Sequence, residues 1–88
     1  MLGVDAEPLF GQLADYFGVK EGVLVRSVID GSPASRAGLK AGDVITRIGT
    51  RAVATPAQIT AQLRGIGSSV KVTFVRNRGE SSVAVNFE

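Results

Sequence analysis

Eighty-eight residues with a formal charge of +2, from ten basic and eight acidic side chains, make one small domain, residues 1–88. That charge is too low, and Lys20, Arg26, Arg36, Arg47, Arg64 and Lys71 are too scattered, to point to nucleic acid, and no apolar run approaches the length of a membrane span. With neither cysteine nor histidine, disulfides, thiol chemistry, Ser-His-Asp and Cys-His nucleophile systems and the common zinc ligands are all excluded, so neither an enzyme nor a cofactor is expected.

The chain opens with Leu2-Gly3-Val4-Asp5-Ala6, a short extended stretch led by an apolar–Gly–apolar triplet. Pro8 to Phe17 follows with Leu9, Leu13, Tyr16 and Phe17 at helical spacing, Pro8 suited to a first turn and Gly18 to a stop, which predicts a helix. Tyr16 and Phe17 are expected to pack inward. The β-branched run Val23–Ile29 predicts a central strand. Val44–Ile48 reads as another strand, Gly49-Thr50 as a turn and Arg51–Val53 as a brief edge strand. Thr55 and Pro56 have the chemistry of an N-cap and first helical position, opening a helix to about Arg64, on which Ile59 and Leu63 share a face. Val70–Arg76 and Ser82–Phe87 alternate in polarity and flank the turn Asn77-Arg78-Gly79, as two strands of a hairpin do. Arg76 and Arg78 beside that turn are expected to be solvated. Asp5 and Glu7, two apart on a strand, read as a solvated pair rather than a catalytic one, and Ser68-Ser69 and Ser81-Ser82 as turn residues.

Between the central strand and Val44 lies the most ordered piece of the sequence, Asp30-Gly31-Ser32-Pro33-Ala34-Ser35-Arg36-Ala37-Gly38-Leu39-Lys40-Ala41-Gly42-Asp43-Val44-Ile45. Ser32 is an N-cap with Pro33 behind it, Gly38 can end a helix in the left-handed conformation, Gly42-Asp43 is a turn, and Ala34, Ala37 and Leu39 suit a short helix docked on a sheet. Ser-Pro-Ala-x-x-Ala-Gly-Leu-x-x-Gly-Asp-x-Ile resembles the signature of bacterial PDZ domains, most closely those of HtrA/Deg-type serine proteases. The fold class expected is α+β: a small PDZ-like antiparallel β-sandwich or partly open barrel capped by two helices. The resemblance implies the permuted bacterial topology, in which the last strand, Ser82–Phe87, fills the place of the first strand in the animal form. A chain that begins inside structure at Met1-Leu2-Gly3-Val4 is expected to be excised from a larger parent.

The resemblance places a carboxylate-binding loop at Met1, Leu2, Gly3 and Val4, where successive backbone N–H groups can form a nest for an anion. It implies β-strand addition, with an extended peptide lying between Val4, Asp5 and Ala6 and the helix carrying Pro56, Ile59, Thr60 and Leu63. Leu2, Val4 and Leu63 would line the pocket for the peptide's last residue. Ile59 belongs either to that lining or wholly to the core. Pro56 and Thr60 match positions facing the third-last residue, and a proline where animal domains often carry histidine implies an apolar preference at both ligand positions. Family loops often have a basic residue near the ligand carboxylate, and in this sequence only the terminal amine could substitute for it. The partners implied are peptide or protein C-termini and a parent protease domain, with no nucleic acid and no direct membrane insertion. The setting implied is periplasmic or otherwise extracytoplasmic, in protein quality control, with an affinity in the micromolar range, on the order of −7 to −8 kcal/mol. A site-two-type metalloprotease, a tail-processing protease, a secretion component or a purely structural docking module remain alternative settings for the same fold.

Overall fold

The computed structural model describes residues 2–87, so Met1 of the expected loop lies outside the described residues. The elements are β1 (Val4–Phe10), α1 (Gly11–Phe17), β2 (Glu21–Val28), α2 (Pro33–Ala37), β3 (Val44–Ile48), β4 (Arg51–Ala52), α3 (Pro56–Leu63), β5 (Ser69–Arg76) and β6 (Gly79–Asn86). All strand pairs are antiparallel, in one sheet of order β1-β2-β3-β5-β6 with β4 paired to β3. The sheet stays open, with β1 on one edge and β6 on the other.

Two of the three helices start as their sequences dictate. Ser32 caps α2 by accepting from the Ser35 amide at 3.2 Å, with Pro33 at the first position and Gly38 closing the helix at φ 95°. Thr55 and Gln58 close a full capping box on α3: the Gln58 amide donates to Thr55 Oγ1 and the Thr55 amide to Gln58 Oε1, both at 3.2 Å.

The first helix corrects the sequence reading. Pro8 and Leu9 belong to β1, and α1 is only seven residues long. Leu9 is buried as a strand residue in a small cluster with Ala14, Val44 and Val75. Leu13 and Tyr16, which helical spacing assigned to the inner face, are 53% and 75% exposed, while Ala14 is the buried residue of α1. Phe17 packs against the small cluster as expected; Tyr16 stands edge-on to it with ring centres 5.3 Å apart and otherwise faces solvent.

The main core lies on the other face of the sheet. Leu2, Val23, Val25, Ala34, Leu39, Ile45, Ile48, Val53, Ile59, Val72, Phe74 and Val85 form one buried cluster, with Leu63, Val83 and Phe87 packed against it. The alternation of β5 divides its side chains between the faces: Val72 and Phe74 join the main core, Val75 the small cluster.

Arg76 and Arg78 are not the solvated pair expected. Arg76 grips the buried Asp43 carboxylate through Nε at 2.8 Å and Nη2 at 2.7 Å, and also donates to the Gly38 carbonyl at 2.8 Å. The Asp43 carboxylate raises the Arg76 guanidinium above its already high ordinary pKa, chiefly through the side-chain hydrogen bond. Asp43 also accepts from the Lys40 amide at 2.8 Å, so one carboxylate ties the turn after α2 to the hairpin end of β5. Arg78 donates to the carbonyls of Tyr16 at 2.7 Å and Asp15 at 3.3 Å, satisfying the last turn of α1. The hairpin loop is Asn77-Arg78, both at positive φ (52° and 64°), with Gly79 already paired to Arg76 in the sheet.

Candidate functional site

A cleft of about 530 Å³ runs between β1 and α3, lined by Leu2, Gly3, Val4, Asp5, Ala6, Pro56, Ile59, Thr60, Leu63 and Arg64. Every described residue that the sequence assigned to peptide binding lies along it. Ile59 resolves the alternative left open above: at 4% exposure it belongs to the main core and also forms part of the cleft floor. Leu2 is likewise buried in the core while lining the cleft. Thr60 is exposed on the wall, its hydroxyl donating back to the Pro56 carbonyl at 3.4 Å, which leaves its methyl as the free apolar contact.

The loop before β1 is held from behind by the start of α2. The Ala34 amide, one of the helix's orphan donors, donates to the Leu2 carbonyl at 3.0 Å. The Ile29 amide donates to the Gly3 carbonyl at 2.8 Å, and Ser32 Oγ donates to the same carbonyl at 3.4 Å. Thus the hydroxyl that caps α2 also touches the loop, and the ordered stretch around Ser32 sets where the loop sits. Gly3 is required there on two counts. Its φ is 94°, and a Cβ would stand 2.6 Å from Ser32 Oγ and closer still to Ser32 Cβ. The sequence reading gave Gly3 the task of letting a ligand approach; the structure adds that its missing side chain lets α2 approach from the opposite side.

Register fixes which way the edge of β1 points. In an antiparallel ladder, residues alternate between pairs that bond each other and pairs whose N–H and C=O groups turn outward. The Ile29-to-Gly3 bond makes Val4 and Val28 an outward-turned pair. After the register shift between Asp5 and Ala6, Ala6 faces Val25, whose amide and carbonyl are spent on Asp43 and Gly42. Val4 and Ala6 therefore direct their backbone donors and acceptors to the open edge, into the cleft. Pro8, in the same phase opposite Val23, puts its missing N–H on that edge, where no ladder bond is lost, and ends the usable row of donors. This explains why proline is tolerated inside a strand that sequence reasoning broke at Ala6.

Arg64 is the lining residue that the sequence reading did not assign. It follows Leu63 as the C-cap of α3, with extended backbone (φ −69°, ψ 136°). Nothing in its sequence setting separates it from an ordinary solvated charge; only the fold brings it to the cleft.

Comparison with known proteins agrees with this geometry. The model of the PDZ domain family matches residues 1–87. The chain is 47% identical over 68 residues to a serine protease Do-like HtrA of Lactococcus lactis, covering 75% of this chain and 16% of that protein. It is 32% identical over 92 residues to a probable periplasmic serine protease do/HhoA-like of Haemophilus influenzae, covering 100% of this chain and 20% of that one. It thus spans about a fifth or less of the length of these relatives. The solved HtrA-type protease AlgW with decapeptide superposes with a TM-score of 0.80 at 28% identity, over 98% of this chain and 28% of that one. The HtrA3 PDZ domain bound to a phage-derived ligand (FGRWV) shares the fold, with a TM-score of 0.84 at 20% identity over 98% and 82% of the two chains. An open antiparallel sheet, the Ser32–Asp43 stretch that anchors its edge loop, and a family match along nearly the whole chain lead to one conclusion: this chain belongs to the PDZ domain family, in the form carried by HtrA-type serine proteases.

Proposed function

We propose that this domain binds the C-terminal residues of other polypeptides as an added strand on β1, and that it serves substrate recognition or regulation of an attached extracytoplasmic serine protease. The observation that carries the reading is the outward-turned backbone of Val4 and Ala6 beside an apolar cleft. Bonding to those two residues gives affinity that is independent of side chains, and the cleft gives selectivity. The peptide's last residue sits among Leu2, Val4 and Leu63 over Ile59, and its third-last faces Pro56 and Thr60, so apolar residues are preferred at both positions. The remaining N–H groups of the Leu2–Val4 loop receive the terminal carboxylate. Periplasmic naming among the relatives supports an extracytoplasmic setting.

Isothermal titration with six-residue peptides ending in Val, Leu or Phe tests the reading. The expected dissociation constants are micromolar, on the order of 10 µM. Peptides with Asp or Lys as the last residue are expected to bind at least about tenfold more weakly, because a charge would enter an apolar pocket. Absence of binding at millimolar peptide overturns the reading.

A further inference from the structure

We infer, resting on the peptide-binding reading, that the recognition strip of β1 runs on beyond the cleft to Phe10, and that Phe10 selects an aromatic side chain at the seventh residue from the end of the bound polypeptide. Three observations single out Phe10. Its ring is 72% exposed and belongs to neither buried cluster. It occupies the N-cap of α1, where a polar side chain would satisfy an orphan amide, and it makes no capping bond. An apolar residue at that position gives up a cap and gains no burial, a local cost that nothing in the packing of the domain offsets. Its place in the strand, finally, puts it in line with the cleft.

The side chains of a strand alternate between the faces of its sheet. Val4 and Ala6 pack toward the main core and Pro8 pairs with Val23 of that core, whereas Leu9 joins the small cluster on the opposite face. Phe10 pairs with Glu21 and is still extended, at φ −155° and ψ 172°, so it continues the face of Val4, Ala6 and Pro8. The cleft lining ends on β1 at Ala6, which leaves Phe10 uncovered on the same face about 13 Å further along the strand. A peptide whose terminal carboxylate lies at the Leu2–Val4 loop runs antiparallel to β1. With its last residue opposite Val4, its third-last stands opposite Ala6, its fifth-last opposite Pro8 and its seventh-last opposite Phe10. Residues directly opposite in such a pair share a face, with Cβ atoms about 5 Å apart. Past Ala6 the backbone offers less, because Pro8 accepts a bond and donates none. Side-chain contact therefore decides whether the upstream part of the peptide is held, and Phe10 is the large apolar surface it meets. An aromatic partner gains most there, since ring pairs attract beyond their area burial.

The test titrates two nine-residue peptides ending in Val, identical except for Phe or Ser at the seventh-last position, and the six-residue peptide that lacks that position. Each is measured against the wild-type domain, Phe10→Thr and Phe10→Tyr. Threonine supplies a capping side chain, so Phe10→Thr is expected to melt no lower than wild type. The wild type is expected to bind the Phe-bearing peptide about three- to tenfold more tightly than the Ser-bearing one. Phe10→Thr is expected to lose that ratio while binding the six-residue peptide as the wild type does, and Phe10→Tyr to keep it. A wild-type ratio of one, or a ratio that survives in Phe10→Thr, overturns the role of Phe10 and leaves peptide binding standing. A wild-type domain that is dimeric by light scattering and becomes monomeric in Phe10→Thr assigns the ring to a second copy of the chain, and overturns the role equally. Failure of the wild type to bind the six-residue peptide overturns the peptide-binding reading itself, and the role of Phe10 with it.

Discussion

On the face of the sheet that carries the cleft, twelve buried residues from β2, β3, β5, β6, α2 and α3 and the connecting segments form one continuous cluster. On the opposite face, four buried residues, Leu9, Ala14, Val44 and Val75, are covered by a seven-residue helix that leaves Leu13 and Tyr16 in solvent. The first face has its helices capped by side chains; the second has a helix with no side-chain N-cap, whose last carbonyls are satisfied by Arg78 from another element. The difference shows where this small domain concentrates its order. The residues that shape the cleft, Leu2, Ile59 and Leu63, are also residues of or against the main core, so the geometry of the cleft and the stability of the fold are one quantity. The α1 layer is an addition whose changes should leave the cleft untouched.

Gly3→Ala is the sharpest way to break that comparison, because it strikes where cleft and core meet. A Cβ at φ 94°, pressed into Ser32, forces either the loop or the start of α2 to move. The expected loss of stability is about 2–4 kcal/mol by chemical denaturation, with peptide affinity reduced more than about tenfold. Adding Ser32→Gly should return part of both by removing the opposing atoms, while the positive φ still costs about 1 kcal/mol. Stability within about 0.5 kcal/mol of wild type, with affinity intact, would show that the loop is not fixed by α2.

The same residues show what was legible in the sequence. The bounds of α2, β3 and α3 could be read almost to the residue because Ser32-Pro33, Gly38 and Thr55-Pro56 are local signals, each needing only neighbours to act. The start of α1 could not. Proline suits the first turn of a helix and an open sheet edge equally well, and only the pairing of Pro8 with Val23 decides between them. Leu9, Leu13 and Tyr16 fall at helical spacing without sharing a buried face, since Leu9 is in a strand. The arginines were misread for a different reason: the partners of Arg76 and Arg78 lie 33 and 62 residues away in the chain, beyond any local pattern. The candidate cleft was placed by resemblance, and its residues by matching motif positions. Arg64 has no motif position, so it entered only with the fold.

Asp43→Asn sharpens the comparison from inside the frame without touching the cleft. It removes the charge that Arg76 grips and weakens the acceptor that the Lys40 amide uses. A fully buried pair would cost more, but the Arg76 side chain is 38% exposed, and water compensates part of its loss. The expected destabilisation is about 1–3 kcal/mol in urea or thermal unfolding. Peptide affinity, measured well below the unfolding transition, is expected to stay within about twofold of wild type, a difference of roughly 0.4 kcal/mol. A larger fall in affinity would mean that the hairpin end of β5 and the cleft are coupled, and that the two faces are less separate than their packing implies.

Leu13→Ser should do the least. Its side chain is just over half exposed and belongs to neither buried cluster, so little apolar surface returns to water when it is removed. Serine has a slightly lower helix propensity than leucine, in a helix that is already short. Together these terms predict a change of no more than about 0.5 kcal/mol in stability and no change in peptide affinity. Exposed Tyr16, whose ring meets Phe17 edge-on, should cost slightly more if changed to serine, about 0.5–1 kcal/mol, again with affinity unaffected. A loss above about 1.5 kcal/mol for Leu13→Ser that grows with protein concentration would show that α1 packs against a second copy in solution, because only an intermolecular contact makes the cost of an exposed residue depend on concentration.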